Sequence, residues 1–161
     1  MAGVGVDIVE ISRVKAAMER TPRFGQRVFT PEEHAYCAGR ANPYASYAGC
    51  FAAREAVLKA LGVGFGDGIG YQDVSVGHDD RGKPLAVLCG RALEVAREQG
   101  VTEVYLSISH TRDVAVANAV AATPASQPKR PERVDEKAVI AARFKEARSL
   151  LEELDSKGSD A

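Results

Sequence analysis

The stretch DVAVANAVAA at residues 113–122 alternates larger residues with alanines, and this pattern restricts the fold more than any other part of the sequence. A period of two residues is typical of a β-strand, in which neighbouring side chains point to opposite faces of a sheet. One face of this strand is therefore small enough for a helix to pack closely against it. The pattern predicts a sheet with a helix on one side.

Further strands and helices are indicated along residues 1–122. Alternation predicts an opening strand that ends near Glu10, a hairpin through YQDVSVGH and KPLAVLC with Gly82 in its turn, and a strand at TEVYLSIS. Helices are predicted after an N-cap at Ser12, from the capping box in TPEEH, over about residues 44–61, and through GRALEVAREQG. This mixture favours an α+β domain with a long helix packed on a mainly antiparallel sheet.

The composition changes after residue 122. Three prolines within eight residues, mixed with Ser, Gln and Lys, predict an extended linker at 123–131. Residues 132–161 are expected to form a C-terminal amphipathic helix and tail, whose apolar seam comprises Ile140, Phe144, Ala147, Leu151 and Leu154. A seam this short is not stable alone, so we expect it to pack on the first domain or on a second copy.

Composition indicates a soluble globular protein. The net charge is −1, so no general attraction to nucleic acid or to membranes is expected. No apolar run approaches the roughly 20 residues that span a bilayer, and the N-terminus does not resemble a signal peptide. The three cysteines are scattered and lack metal-binding spacing, which predicts small buried side chains in a reducing cytoplasm.

Three charged residues in apolar surroundings indicate a functional site. Glu55 and Lys59 lie four apart on the predicted long helix, where they form either a surface ion pair or a buried pair that needs a partner or a ligand. Asp7 interrupts a strand of valine, isoleucine and glycine, and either faces water or meets Glu55. Two converging carboxylates are compatible when Mg²⁺ lies between them, and Lys59 would then contact a phosphate oxygen.

Five segments in order, GVDIVEISR, FTPEE, FAAREAVLKALG, GKP and SISHT, resemble the holo-[acyl-carrier-protein] synthases over roughly residues 3–122. These are the small phosphopantetheinyl transferases. The resemblance implies their fold, Mg²⁺ as cofactor and coenzyme A as co-substrate. It implies transfer of the 4′-phosphopantetheine arm to a serine of apo-acyl carrier protein, with release of adenosine 3′,5′-bisphosphate. It also implies a homotrimer with active sites between subunits.

The resemblance implies roles for individual residues. Asp7 and Glu55 match the magnesium ligands, Lys59 matches the phosphate-contacting lysine, and Glu55 is the best candidate proton acceptor. Coenzyme contacts are implied for Arg54, Lys59, Gly62, Gly82, Lys83, Pro84 and His110. The family usually has lysine at position 54, so the donor geometry of that contact differs here. His34 and His78 are interpreted as structural.

A run of basic residues, SRVKAAMERTPRFGQR, stands out in a chain of almost zero net charge. Such a run is either a solvated face or a docking surface for an acidic protein or for RNA. The resemblance favours an acidic acyl carrier protein docked on Arg13, Arg20, Arg23, Phe24 and Arg27.

A competing hypothesis is a non-catalytic coenzyme A- or RNA-binding module, in which Glu55 and Lys59 form a structural pair. Asp7 distinguishes the two, because a binding module has no need of a second carboxylate aimed at Glu55. The sequence leaves open whether the carrier protein serves fatty acid synthesis or another pathway.

Overall fold

A computed structural model describes residues 3–66 and 68–126 of the chain. Five strands and five helices follow one another in this part: β1 Gly3–Glu10, α1 Ile11–Arg20, α2 Pro22–Val28, α3 Pro31–Ala38, α4 Pro43–Ala60, β2 Val74–His78, β3 Pro84–Leu88, α5 Gly90–Glu98, β4 Glu103–His110 and β5 Val114–Ala122.

The described strands form two antiparallel sheets. Strands β1, β5 and β4 pair in that order, and β2 and β3 form a separate hairpin. Helix α4 lies across β1 and β5 of the larger sheet. The predicted α+β architecture, a long helix on a mainly antiparallel sheet, is therefore confirmed.

Small residues on both strands allow α4 to lie close to the sheet. The alanines of β5 between Ala115 and Ala121 point towards the helix and are fully buried. On β1, a Cβ atom added to Gly3 would lie 1.8 Å from the carbonyl oxygen of Ala60. Any larger side chain there would collide with the helix backbone. The alanine face was predicted from the alternation, whereas this contact of the glycine strand was not.

Side-chain caps fix the first turns of α3 and α4. The Thr30 hydroxyl accepts a hydrogen bond from the Glu33 N–H at 3.3 Å, and the Glu33 carboxylate accepts one from the Thr30 N–H at 2.9 Å. The predicted capping box is therefore confirmed. At α4, the Asn42 side chain accepts a hydrogen bond from the Ala45 N–H at 3.1 Å.

The first two helices differ from the sequence prediction. Helix α1 begins at Ile11, directly after β1, and Glu10 at its N-cap makes no side-chain capping bond, so the N-cap at Ser12 is wrong. The Ile11 N–H donates instead to the carbonyl of Asp113 at 2.9 Å, which lets the strand continue into the helix. Helix α2 was not predicted, because its seven residues read as part of a basic run.

Two of the three cysteines are buried as predicted. Cys37 on α3 and Cys50 on α4 are free thiols with their sulfur atoms 3.8 Å apart. The prediction of burial is wrong for Cys89, which is exposed at the N-cap of α5 and donates to the carbonyl of Gln72 at 3.3 Å.

Most of the predicted linker at 123–131 and all of the predicted C-terminal helix and tail at 132–161 lie outside the described residues, and both stay predictions. Within the described ranges, no helix combines the length and hydropathy that crossing a bilayer requires.

Candidate active site

Asp7 lies on the face of β1 that packs against α4. Its neighbours on that face, Gly5 and Val9, are buried, and the Asp7 side chain is only 16% exposed. The Lys59 ammonium contacts it from the last turn of α4, with Nζ 2.7 Å from Asp7 Oδ1 and 3.2 Å from the carbonyl oxygen of Val6. The strand and the helix are thus joined by an ion pair.

Glu55 lies one turn before Lys59 on α4 and is half-buried. Burial raises the pKa of the Glu55 carboxyl, and the negative charge of Asp7 raises it further, against the lowering effect of Lys59. Asp7 and Glu55 line one cavity of about 480 Å³, together with Arg13 and the ring of Phe24. The structure therefore brings the strand carboxylate and the helix carboxylate into one site.

The donor set of this cavity suits a hard cation that binds substrate as well as protein. In the described ranges, no group of three or more metal-ligating His, Cys, Asp or Glu side chains is assembled. Mg²⁺ is commonly held by one or two carboxylates, and phosphate and water complete its octahedron. The charge of Asp7, which raises the pKa of Glu55, is the repulsion that such a cation would relieve. Asp7 and Glu55 therefore fit Mg²⁺.

A second cavity, of about 570 Å³, contains other predicted coenzyme contacts. Gly82 and Pro84 from the hairpin and His110 from the end of β4 line it. Because the carbonyl oxygen of Thr111 accepts a hydrogen bond from the His110 ring at 3.1 Å, Nδ1 carries the proton in that contact. Among the described residues, none lines both cavities.

The same cavity contains residues that the sequence did not indicate. The rings of Tyr36 and His78 stack with centroids 3.6 Å apart, and the Arg40 guanidinium lies 5.1 Å from the Tyr36 ring centroid. Burial lowers the pKa of His78, and the charge of Arg40 lowers it further. Arg40 lies just after α3, so helix spacing does not place it beside Tyr36, and the position of His78 likewise depends on tertiary packing.

Backbone roles are visible for three of the predicted coenzyme contacts, Gly62, Gly82 and Lys83. Gly62 ends α4 with φ +69°, and Gly82 turns the hairpin with φ +79°, a region that favours glycine. The backbone N–H of Lys83 donates to Asp79 Oδ1 at 2.8 Å, and its side chain is exposed. Neither Gly62 nor Lys83 lines either cavity.

Arg54 is not available to a coenzyme phosphate, which corrects the sequence prediction. Its side chain is 0% exposed and forms an ion pair with Glu33. The guanidinium also donates to the carbonyl oxygens of Tyr71 at 2.9 Å and Cys50 at 3.2 Å, and it lies 4.9 Å from the Phe29 ring centroid. Helix periodicity explains the error, because Arg54 and Glu55 are adjacent in sequence but point in different directions.

The predicted docking residues lie on α1 and α2. The four arginines Arg13, Arg20, Arg23 and Arg27 are exposed, and Phe24 is partly buried against the core. Because Arg13 and Phe24 also line the cavity of Asp7 and Glu55, the basic surface borders the carboxylate site.

Known proteins define the family of this chain. The 4′-phosphopantetheinyl transferase superfamily matches residues 3–119. The holo-[acyl-carrier-protein] synthase of Moorella thermoacetica is 47% identical over 120 residues, which cover 74% of this chain and 93% of that protein. The corresponding synthase of Desulforudis audaxviator is 46% identical over 123 residues, covering 76% and 93%. The chain therefore belongs to the 4′-phosphopantetheinyl transferase superfamily.

Solved structures of the same family agree with this fold. Holo-[acyl-carrier-protein] synthase from Neisseria meningitidis superposes with a TM-score of 0.67 at 35% identity, covering 75% of this chain and 98% of that chain. The synthase from Helicobacter pylori, in complex with coenzyme A, superposes with a TM-score of 0.65 at 30% identity, covering 74% and 99%. The fold predicted from the resemblance is therefore confirmed.

Proposed function

We propose that this chain is a holo-[acyl-carrier-protein] synthase. It transfers the 4′-phosphopantetheine arm of coenzyme A to a serine of apo-acyl carrier protein and releases adenosine 3′,5′-bisphosphate. The observation that carries the proposal is the pair of carboxylates, Asp7 and Glu55, that share a cavity beside Lys59 in a member of this superfamily. A binding module would not need to hold two like charges together.

Three side chains supply the chemistry of this cavity. Asp7 and Glu55 would hold Mg²⁺, which stabilises negative charge on phosphoryl oxygens. Lys59 extends a half-exposed ammonium towards the same place and binds a phosphate oxygen of the coenzyme. Glu55 is also the proposed acceptor of the proton of the attacking serine.

The second cavity is the proposed site of the nucleotide end of coenzyme A. Gly82, Pro84 and His110 line it, and Arg40 adds a positive charge suited to a phosphate. This cavity and the carboxylate cavity share no lining residue, and the resemblance implies active sites between subunits, so one coenzyme would bind the carboxylate cavity of one chain and the second cavity of another. We therefore propose the homotrimer that the resemblance implies, with each active site between subunits.

The exposed face of the larger sheet supports an assembly. Val4, Val6 and Ile8 of β1 and Tyr105 of β4 are large apolar residues exposed on the side away from α4. Burying such a face against other copies is favourable in proportion to its apolar area. Size-exclusion chromatography with light scattering tests the proposed trimer, because a trimer has three times the chain mass of 17.1 kDa. A monomer mass at micromolar concentration would contradict the intersubunit site.

The acidic acyl carrier protein is proposed to dock on Arg13, Arg20, Arg23, Phe24 and Arg27. Of these, Arg13 and Phe24 line the carboxylate cavity. Exposed arginines of this kind mainly accelerate encounter and fix orientation. For the location we propose the cytoplasm, because Cys37, Cys50 and Cys89 are free thiols.

Mass spectrometry of a carrier protein tests the proposed reaction. An apo-acyl carrier protein incubated with the full chain, coenzyme A and Mg²⁺ is expected to gain one phosphopantetheine, and EDTA in excess of Mg²⁺ is expected to abolish the gain. Binding of coenzyme A without any mass gain, with several carrier proteins, would overturn the proposal and favour a binding module.

A further inference from the structure

The ion pair between Lys59 and Asp7 has a consequence beyond the proposed reaction. Lys59 Nζ lies 2.7 Å from the same Asp7 carboxylate that is proposed to hold the cation. The Lys59 side chain is 50% exposed, whereas that of Asp7 is 16% exposed. The ammonium is thus the solvated partner of the pair, and the carboxylate is the more buried one.

The Lys59 ammonium and a divalent cation compete for the Asp7 carboxylate. An ammonium and a divalent cation on one carboxylate repel each other, and the repulsion is strongest at the short distances of direct contact. Lys59 has a flexible four-carbon stem and ends at the surface, so leaving Asp7 disturbs little packing. A phosphate of the coenzyme offers the ammonium a new partner of the same charge sign as Asp7.

We propose that Lys59 is an exchangeable counter-ion of Asp7. It neutralises Asp7 before a divalent cation binds, moves away as the cation takes the carboxylate, and then pairs with a coenzyme phosphate. This inference depends on the proposed cation site at Asp7 and Glu55. Lys59 therefore weakens cation binding to the protein alone and couples cation binding to coenzyme binding.

Mn²⁺ affinity, measured by electron paramagnetic resonance on the full chain without coenzyme, tests the exchange. Lys59→Met removes the charge but keeps the length of the side chain, and it is expected to bind Mn²⁺ at least about fivefold more tightly than wild type, the lower end of typical coupling effects. Lys59→Gln should behave in the same way, and Lys59→Arg, which keeps the charge, should bind like wild type.

Arg13→Gln is the matched control, because Arg13 lines the same cavity and no described hydrogen bond or ion pair joins it to Asp7. If Arg13→Gln tightens Mn²⁺ binding as much as Lys59→Met does, the effect comes from the total positive charge around the cavity and not from the contact between Lys59 and Asp7. That result overturns the exchange. Unchanged or weaker Mn²⁺ binding in both neutral Lys59 variants overturns it as well.

Asp7→Asn separates failure of the exchange from failure of the proposed function. If Asp7→Asn weakens Mn²⁺ binding while the neutral Lys59 variants leave it unchanged, the cation site stands and the exchange falls. If Asp7→Asn binds Mn²⁺ as wild type does, the proposed cation site itself is wrong, and the exchange falls with it.

Discussion

Two ion pairs between described residues extend from helix α4 to other elements, and they differ strongly in burial. Arg54 and Glu33 are 0% and 1% exposed, whereas Lys59 and Asp7 are 50% and 16% exposed. A buried pair costs several kcal/mol of desolvation per ion, by order of magnitude, and is stable only when hydrogen bonds satisfy both groups. In the second pair the ammonium is half-exposed, so less of its charge is desolvated. The comparison separates a pair that is buried at both ends from one whose ammonium reaches solvent.

The buried pair holds together the elements around the larger cavity. Glu33 on α3 also accepts hydrogen bonds from the backbone N–H groups of Thr30 and Val76, both at 2.9 Å, and so connects α3 to β2. Arg54 connects α4 to the loop at Tyr71. Because α3, α4 and the β2–β3 hairpin all contribute walls to this cavity, the pair fixes their relative positions.

Replacing the buried arginine is expected to have the largest effect on stability. Arg54→Met leaves the carboxylate of Glu33 buried without its partner, and we expect a loss of about 3–5 kcal/mol in the free energy of unfolding. Urea unfolding followed by circular dichroism measures it. Arg91→Met is the control, because Arg91 pairs with Glu94 and Glu98 on the surface and should unfold close to wild type.

The double variant Glu33→Gln/Arg54→Met sharpens this result. It removes both charges, so its loss of stability should be smaller than the sum of the two single losses. Additive losses, or a loss below about 1 kcal/mol for Arg54→Met, would contradict a fixed buried pair, since that is the range of surface pairs.

A conservative replacement at the same position should have an intermediate effect. Arg54→Lys keeps the charge beside Glu33 but lacks the Nε donor to the Tyr71 carbonyl. We expect a loss of about 1–3 kcal/mol, the cost of leaving a buried acceptor unsatisfied. Stability equal to wild type would show that charge alone matters and that the Tyr71 contact contributes little. The same urea titration measures it.

Removing a charge from the carboxylate site should raise the stability, whereas removing a charge from the buried pair lowers it. Burial and the charge of Asp7 raise the folded-state pKa of Glu55 above its ordinary value of 4.5, so its contribution favours folding below about pH 4.5 and is lost as the pH rises through the folded pKa. Glu55→Gln should therefore be more stable than wild type at pH 7, and the difference should vanish on acidification. Thermal unfolding at a series of pH values checks this. A less stable Glu55→Gln at pH 7 would contradict the repulsion.

The exposed pair should contribute least to stability. Lys59→Met is expected to change the free energy of unfolding by less than about 1 kcal/mol, as exposed ion pairs usually do. The effect should shrink further at 1 M salt, where the screening length is about 3 Å. Urea titrations at low and high salt measure both quantities. A loss comparable to that of Arg54→Met would remove the distinction between the two pairs.

Local patterns predicted most of the fold. The alternation in β5, the capping box at Thr30 and Glu33, and the glycine after α4 each depend on residues close in sequence, where periodicity and capping chemistry operate. Helix α2 was not found because a short segment with few apolar positions gives little periodic signal. Gly3 looked like an ordinary strand residue, since only the path of α4 reveals the need for a small side chain there.

The site was predictable where chemistry made a residue conspicuous. Asp7 stood out because burying a carboxylate in an apolar strand is unfavourable unless the carboxylate has a partner. Glu55 stood out because it lies four residues before Lys59 on a helix. The partner of Arg54 was not predictable, since Glu33 lies 21 residues away and already had a local role as a helix cap. The stack of Tyr36 on His78 also depends on how a hairpin packs on α3.

The transfer rate of Asp7→Asn, measured beside its stability, tests the role of the carboxylate pair most directly. With saturating coenzyme A, apo-carrier protein and Mg²⁺, this variant is expected to be at least about 100-fold slower than wild type, a typical loss for one group that stabilises charge in the reaction. Its fold should survive, and Glu94→Gln on the surface of α5 should retain the wild-type rate. A folded Asp7→Asn variant that transfers phosphopantetheine at the wild-type rate would contradict a catalytic role for the pair.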